Sequence, residues 1–130
     1  MGLKKSRSPY ERQDVLLPAK IWRTADRTDP AVAATCRNLG ARGCRFVVED
    51  ARRLPGLNVE TPIAFSIEIA PSMPTVEGGG RVAWMKRERG EGGKVRLILG
   101  IEFTSVAASH QERIKAYLAA LVARQNKNAS

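Results

Sequence analysis

Residues 62–69 have the sequence Pro-Ile-Ala-Phe-Ser-Ile-Glu-Ile, and every second side chain from Ile63 to Ile69 is large and apolar. The side chains between them, Ala64, Ser66 and Glu68, are small or polar. Successive side chains of a β-strand point to opposite faces, so a period of two is typical of a strand that buries one face. This stretch therefore predicts a half-buried β-strand.

The same alternation recurs, in whole or in part, in five further segments. They extend over residues 15–21, 32–36, 44–48, 82–84 and 95–103. Turn-forming compositions separate them, because Gly, Pro and Asn favour the backbone angles of tight turns. Examples are Leu54-Pro55-Gly56, Gly78-Gly79-Gly80 and Gly90-Glu91-Gly92-Gly93, the last of which predicts a hairpin loop.

The last part of the chain changes period. Ser109-His110-Gln111-Glu112 fits a capping box, in which serine and glutamate satisfy free backbone donors at a helix start. Apolar residues then follow at the spacing of one helical face. They are Ile114, Tyr117, Leu118, Leu121 and Val122. Six strands and one terminal helix predict an all-β fold, a barrel or a strongly curved sheet, with the helix across an open side or end.

The chain is predicted to form a single domain with two flexible ends. Residues 1–14 are polar and basic without periodicity, which favours a flexible N-terminal arm. Residues 15–124 hold the strands and the helix, and residues 125–130 are predicted to be a frayed tail. No apolar run approaches the ~20 residues of a membrane helix, so no membrane span is expected.

The composition is strongly basic, with 22 Lys and Arg against 13 Asp and Glu and a formal net charge of +9. Such a charge attracts phosphates on a nucleotide, a nucleic acid or an anionic membrane. Charge alone does not distinguish these partners.

Catalytic and metal-binding patterns are sparse in the sequence. Cys36, Cys44 and the single histidine, His110, do not have the spacing of a zinc site. Both cysteines have apolar neighbours and are predicted to be buried thiols in a reducing, cytoplasmic compartment. Gly78-Gly79-Gly80 lacks the spacing of a phosphate-binding loop. The sequence therefore predicts a non-enzymatic protein without a metal or a cofactor.

One turn between two predicted strands has the composition of a binding site. Residues 37–43 read Arg-Asn-Leu-Gly-Ala-Arg-Gly. The Asn38 amide can both donate and accept hydrogen bonds, and glycines let a ligand approach the backbone. Guanidinium groups can bind phosphate with two parallel hydrogen bonds. An ordinary turn with solvated arginines has the same composition, so both interpretations stay open here.

This turn resembles a motif of the PilZ domain family, the pattern [Asp/Asn]-x-Ser-x-x-Gly between the second and third strands. Asn38 and Gly43 match it, and Gly40 stands at the serine position. Residues 80–84, Gly-Arg-Val-Ala-Trp, look like the family's Gly-x-Val-x-Trp strand, and residues 100–103, Gly-Ile-Glu-Phe, look like its Gly-Val-x-Phe strand. The order and spacing of these motifs over residues 10–122 identify the chain as PilZ-like.

The family's arm carries an Arg-x-x-x-Arg pair, and here the match is incomplete. Arg12 occupies the second arginine position, whereas Ser8 occupies the first. Arg7 precedes Arg12 by five residues. The resemblance implies a six-stranded antiparallel β-barrel with a C-terminal α-helix, and cyclic di-GMP as a regulatory ligand.

In the family, the arm arginines clamp the phosphates and guanine faces, and the Asn/Asp and Ser of the turn hold a guanine edge. The resemblance thus assigns phosphate and stacking contacts to Arg12, a displaced contact to Arg7, guanine recognition to Asn38, and the turn itself to Gly43. Gly40 lacks the expected hydroxyl. Losing one neutral and one charged contact predicts an affinity lower by about ten- to a thousandfold.

Three functions follow as alternatives. The first is a cyclic di-GMP receptor that signals to an effector protein through ordering of the arm. The second is a PilZ-like adaptor that binds a partner protein without nucleotide. The third, nucleic-acid binding, is supported by the basic pI but opposed by the aromatic residues, which are predicted on core strands rather than on a stacking platform. These are Phe46, Phe65, Trp84 and Phe103.

Overall fold

The computed structural model describes the backbone of residues 11–129 and the side chains of residues 11–125. Six strands and one helix make up the fold. They are β1 (Gln13–Trp22), β2 (Val32–Leu39), β3 (Gly43–Val48), β4 (Pro62–Ile67), β5 (Val76–Arg89), β6 (Val95–Ser105) and α1 (Ala108–Ala129). Two short 3₁₀ turns lie at Ala51–Arg53 and Glu91–Gly93.

The strands form a closed barrel in the order β1-β2-β3-β6-β5-β4, and every neighbouring pair is antiparallel. The barrel closes between β1 and β4, where Ile21 lies opposite Phe65. The predicted six-stranded antiparallel barrel with a C-terminal helix is confirmed. The predicted hairpin at residues 90–93 is also confirmed, with positive φ angles at Gly92 and Gly93.

The core consists of the side chains that alternate inward along each strand. In β4, Ile63, Phe65 and Ile67 are fully buried, as the period of two predicts. Ala64 and Ser66 between them are buried as well, so the prediction of a half-buried strand was wrong. The helix packs Ile114 and Leu118 against the same core. Its apolar face thereby covers one side of the barrel, which leaves the N-terminal part of α1 close to the strand connections.

The three consecutive glycines were wrongly predicted as a turn, since Gly78, Gly79 and Gly80 lie inside β5 and pair with β4. Crowding explains their composition. A Cβ on Gly78 would lie 2.9 Å from the Ser105 carbonyl oxygen, and a Cβ on Gly80 would lie 2.7 Å from the Glu102 carbonyl oxygen. The strand therefore passes β6 too closely for side chains at these two positions.

Trp84 was wrongly predicted in the core. The pairing of β5 with β6 shifts by one residue between Val82 and Trp84, and such a β-bulge changes the side-chain parity beyond it. Val82 is fully buried, whereas Trp84 is on the outer face and 42% exposed. Its indole covers Gly100, where a Cβ would overlap the ring.

The helix begins two residues earlier than the capping box predicts. Ala108 is the first helical residue, and the Gln111 N–H donates to the Ala107 carbonyl oxygen at 2.9 Å, so Ser109 is a helical residue and not the cap. His110 is half-buried, and its Nδ1 accepts a hydrogen bond from the Glu77 N–H at 2.8 Å. The helix continues to Ala129, beyond the predicted end at residue 124.

Both cysteines are free thiols and fully buried, as predicted. Burial raises the pKa of the Cys44 thiol well above its usual value, because the thiolate would lose its hydration. We expect Ellman's reagent to leave Cys36 and Cys44 unmodified in the native protein at about pH 8 and to modify both in urea. Rapid modification of the native protein would contradict this packing.

Candidate functional site

Three parts of the fold meet around a cavity of about 630 Å³ at one end of the barrel. Glu11 and Arg12 precede β1, residues 40–43 form the β2–β3 turn, and Lys115 lies on α1. The cavity exists because the helix packs across the barrel beside this turn.

Hydrogen bonds to neighbouring elements hold the β2–β3 turn in place. The Gly40 N–H donates to the Gly43 carbonyl oxygen at 2.9 Å across the turn. The Gln111 side-chain amide, on α1, donates to the Ala41 carbonyl oxygen at 3.1 Å. The Phe103 N–H, on β6, donates to the Arg42 carbonyl oxygen at 2.8 Å. The turn is therefore fixed by both the helix and the sheet.

Arg12 lies directly against the two glycines of this turn. A Cβ on Gly40 would be 2.9 Å from Arg12 Cγ and 3.2 Å from the Arg12 backbone nitrogen. A Cβ on Gly43 would be 2.8 Å from Arg12 Nη2 and closer still to the Ile101 carbonyl oxygen. Glycine at both positions thus allows the N-terminal segment to pass over the turn. In this geometry Gly40 makes room for Arg12, at the position where the family has serine.

Asn38 lies on β2, opposite Asp14 on β1 and Arg45 on β3. Its Nδ2 donates to Asp14 Oδ1 at 3.4 Å. Its Oδ1 is buried and accepts no hydrogen bond from the described residues. A buried polar atom without a partner is uncommon in native proteins and marks a position where a ligand or a water can donate.

Four arginines around the turn carry positive charge without a carboxylate partner. Within the part of the chain that the structure describes, no ion pair or hydrogen bond engages the guanidinium groups of Arg12, Arg37, Arg42 and Arg45. Five arginines elsewhere pair with carboxylates. These pairs are Arg23–Asp29, Arg27–Glu77, Arg52–Asp50, Arg81–Glu60, Arg81–Glu102 and Arg96–Glu49. The uncompensated charge makes this end of the barrel attractive to an anion.

A second cleft, separate from the cavity at the turn, was missed by sequence reasoning. A cleft of about 310 Å³ on the outer face is lined in part by Arg37, Arg45 and Trp84. Arg45 and Trp84 flank Gly100 from β3 and β5. The bulge that turns Trp84 outward depends on strand register, and no local sequence pattern marks it. Lys115 was also missed, because only the docking of α1 brings it to the turn.

The position of Trp84 leads to a testable prediction. Gly100→Ala is expected to displace the indole, because the added methyl group would occupy the volume of the ring. In a Trp22→Phe background, which leaves Trp84 as the only tryptophan, the fluorescence emission should shift to longer wavelength. An unchanged emission spectrum would contradict the packing of Trp84 over Gly100.

Of the five predicted site residues, four come together in the structure. Arg12, Gly40 and Gly43 are in direct contact, and Asn38 lies on the strand that leads into their turn. Arg7 lies outside the described residues. In a comparison with known protein families, the model of the PilZ domain matches residues 6–120. The chain belongs to the PilZ domain family. Domains of this family bind ligands or act as adaptors.

Solved PilZ structures have the same fold. The chain superposes on the PilZ domain of YcgR from Escherichia coli with cyclic di-GMP at a TM-score of 0.67 and 12% identity, covering 95% of this chain and 98% of that one. It matches MotI/DgrA, the inhibitor of motility of Bacillus subtilis, at 0.67 and 18% identity, with 95% and 53% coverage. It matches MrkH of K. pneumonia in its apo state at 0.70 and 11% identity, with 97% and 56% coverage.

The chain thus spans about half the length of MotI and MrkH. No curated protein sequence matches it. Within residues 11–129 no helix is long and apolar enough to cross a membrane. The same residues contain no group of three or more His, Cys, Asp or Glu side chains placed to hold a metal ion.

Proposed function

We propose that this PilZ domain is a cyclic di-GMP receptor whose ligand binds over the β2–β3 turn. The observation that carries the proposal is a cluster of arginines around the buried Asn38 Oδ1, where neither the guanidinium groups nor this oxygen has a partner among residues 11–125. Cyclic di-GMP has two phosphates and two guanines, and guanidinium groups can bind phosphates and stack on aromatic bases. The proposed role is binding and signalling, without catalysis.

Each site residue has a distinct proposed role. Arg12 binds a phosphate and stacks on a guanine, and Arg7 supports it from the N-terminal segment. Asn38 Oδ1 accepts a hydrogen bond from the guanine edge, which carries N–H donors. Gly40 and Gly43 have no side chains, so Arg12 can pass directly over the turn. Ligand binding orders the N-terminal arm that precedes β1 over the barrel and thereby changes the surface presented to an effector protein in the cytoplasm.

Titration calorimetry tests this function directly. Cyclic di-GMP should bind with a dissociation constant in the low micromolar range or tighter, about −8 kcal/mol or stronger. Cyclic di-AMP should bind more weakly by at least about tenfold. The reason is that adenine lacks the N–H donors of the guanine edge, from which Asn38 Oδ1 would accept a hydrogen bond. If no heat of binding is detected at near-millimolar ligand, the proposed receptor function is wrong. The remaining function is then a PilZ adaptor that acts through protein contacts.

The role of Asn38 can be tested separately. Asn38→Ala removes the oxygen that accepts from guanine and is expected to weaken cyclic di-GMP binding by about three- to tenfold. The same substitution should hardly change cyclic di-AMP binding. If the substitution weakened the binding of both ligands equally, Asn38 would contribute by stabilising the turn and not by recognising guanine.

A further inference from the structure

Among the described residues, no strand other than β6 pairs with the second half of β5, so one of its edges is uncovered. β4 pairs with β5 only as far as Arg81. Two further backbone hydrogen bonds join Val82 to Glu60 and Thr61, and the positive φ of 80° at Glu60 then turns the chain away. Among residues 11–129, residues 83–89 form backbone hydrogen bonds with β6 alone. This segment is called the open edge below.

The hairpin determines which backbone groups face the open edge. The Gly90 N–H donates to the Lys94 carbonyl oxygen at 2.7 Å, and the β5–β6 register is unbroken from there back to Trp84. Antiparallel residues alternate between pairs that exchange both hydrogen bonds and pairs that exchange none. Even-numbered residues of the open edge therefore bond to β6, and odd-numbered residues direct their N–H and C=O groups outward. The odd-numbered residues from the bulge to the loop are Met85, Arg87 and Arg89.

The side chains of the open edge carry an excess of positive charge. Lys86, Arg87 and Arg89 are exposed, and Glu88 is the single carboxylate between them. Lys86 Nζ lies 3.3 Å from Glu88 Oε2, whereas Arg87 and Arg89 have no ion pair with any described residue. Cations on an exposed edge repel a second copy of the same edge. They attract an extended segment that carries carboxylates.

Apolar surface flanks the open edge on both faces of the sheet. On the outer face, Trp84 and Ile98 line the cleft beside Lys86. On the inner face, Met85 packs against the core and is half-buried. A strand added here would place alternate side chains against each face, so it should combine apolar and acidic residues.

We propose that the open edge is a docking site for an acidic, extended segment of a partner protein, which adds to the sheet beside β5. Backbone hydrogen bonds would supply affinity in this mode, and alternate side chains would supply specificity. The chain's own residues 1–10 suit the edge poorly, because they include Lys4, Lys5 and Arg7 and no carboxylate. This docking does not depend on cyclic di-GMP binding.

A synthetic peptide tests the proposal on the full chain. The probe is a fluorescein-labelled heptapeptide of alternating glutamate and valine, and the control is the matching lysine–valine peptide. Fluorescence anisotropy should give binding to the glutamate peptide at least about tenfold tighter than to the lysine peptide, as charge complementarity requires. No binding of the glutamate peptide at about 1 mM, or equal binding of both peptides, would overturn the proposal.

Two substitutions at Arg87 separate backbone pairing from charge. Arg87→Ala removes the cation but keeps the N–H, and it should weaken binding by only about two- to threefold. Arg87→Pro removes the outward N–H without removing a bond to β6, so it should weaken binding by about tenfold or more. Equal effects of the two substitutions would mean that charge alone attracts the peptide, and would overturn strand addition. Cyclic di-GMP binding should be unchanged in both variants.

Amide hydrogen exchange in the wild-type protein gives a second test that needs no variant. The glutamate peptide should slow exchange at Met85, Arg87 and Arg89, whose N–H groups face the open edge. The N–H groups of Lys86 and Glu88 already bond to β6 and should change little. Slowed exchange elsewhere without a change at these three residues would overturn the proposal.

Discussion

Replacing Arg12 with alanine is expected to weaken cyclic di-GMP binding by about ten- to a hundredfold, because a hydrogen bond to a charged phosphate contributes about 1.5–3 kcal/mol. The side chain is exposed and makes no hydrogen bond or ion pair with the other described residues, so the variant should fold normally. Titration calorimetry of wild type and variant at moderate salt measures the ratio of affinities.

Arg52→Ala is a matched control for this experiment. Arg52 is 82% exposed, and its one ion pair among the described residues is with Asp50, at 2.9 Å, in the connection between β3 and β4. Its loss removes the same charge from the protein but no part of the proposed site. Equal affinities of the Arg12 variant and the wild type would contradict the proposed binding of phosphate by Arg12. Equally weakened cyclic di-GMP binding in the Arg12 and Arg52 variants would mean that only the net charge of the protein matters.

The largest effect on stability is expected for Gly43→Ala. The added methyl group would collide with the Ile101 carbonyl oxygen on β6, and this oxygen belongs to a paired strand that cannot move away alone. Overpacking of this kind costs about 1–3 kcal/mol, so urea unfolding should show a decrease of the free energy of unfolding in that range. Cyclic di-GMP binding should also weaken, because Arg12 Nη2 lies 2.8 Å from the same position.

Gly79→Ala is a suitable control, since it is another strand glycine. A Cβ there would be 3.5 Å from the Ile63 carbonyl oxygen, an ordinary contact distance. We expect this variant to change the free energy of unfolding by less than about 0.5 kcal/mol. A Gly43 variant as stable as the Gly79 variant would contradict the close approach of the turn to β6.

The barrel could be predicted from the sequence because its strands carry local signals. Ile63, Phe65 and Ile67 alternate strictly, and each is fully buried. Asn38 and Gly43 were found for a similar reason, since turn chemistry lies within a few neighbouring residues. The hairpin glycines Gly92 and Gly93 follow the same rule, because their positive φ angles suit the loop.

The errors have a common physical origin in contacts between distant segments. Gly78 and Gly80 resemble turn residues, but they lack side chains because β6 passes close to them. Trp84 follows a bulge whose position depends on the register of β5 against β6. Lys115 reaches the site only because α1 packs beside the β2–β3 turn. None of these contacts has a local pattern from which it could be predicted.

Gly40 shows how the structure changes the meaning of a motif position. In the family pattern this position is a serine, so Gly40 lacks the hydroxyl group that the pattern provides. In the fold it is buried, and a Cβ would be 3.3 Å from Arg12 Cα. Restoring serine should therefore shift the N-terminal segment, and we expect Gly40→Ser not to tighten cyclic di-GMP binding. A gain of about tenfold in calorimetry would contradict this packing.

The most direct test of the account is a titration of cyclic di-GMP into ¹⁵N-labelled protein, followed by amide chemical shifts. We predict saturable shifts that are largest at residues 11–12 and 38–43, with the Trp84 indole N–H also affected. Residues 51–53, on the connection between β3 and β4, should not shift. Unchanged spectra at near-millimolar ligand, or shifts that avoid residues 38–43, would contradict a cyclic di-GMP site over the β2–β3 turn.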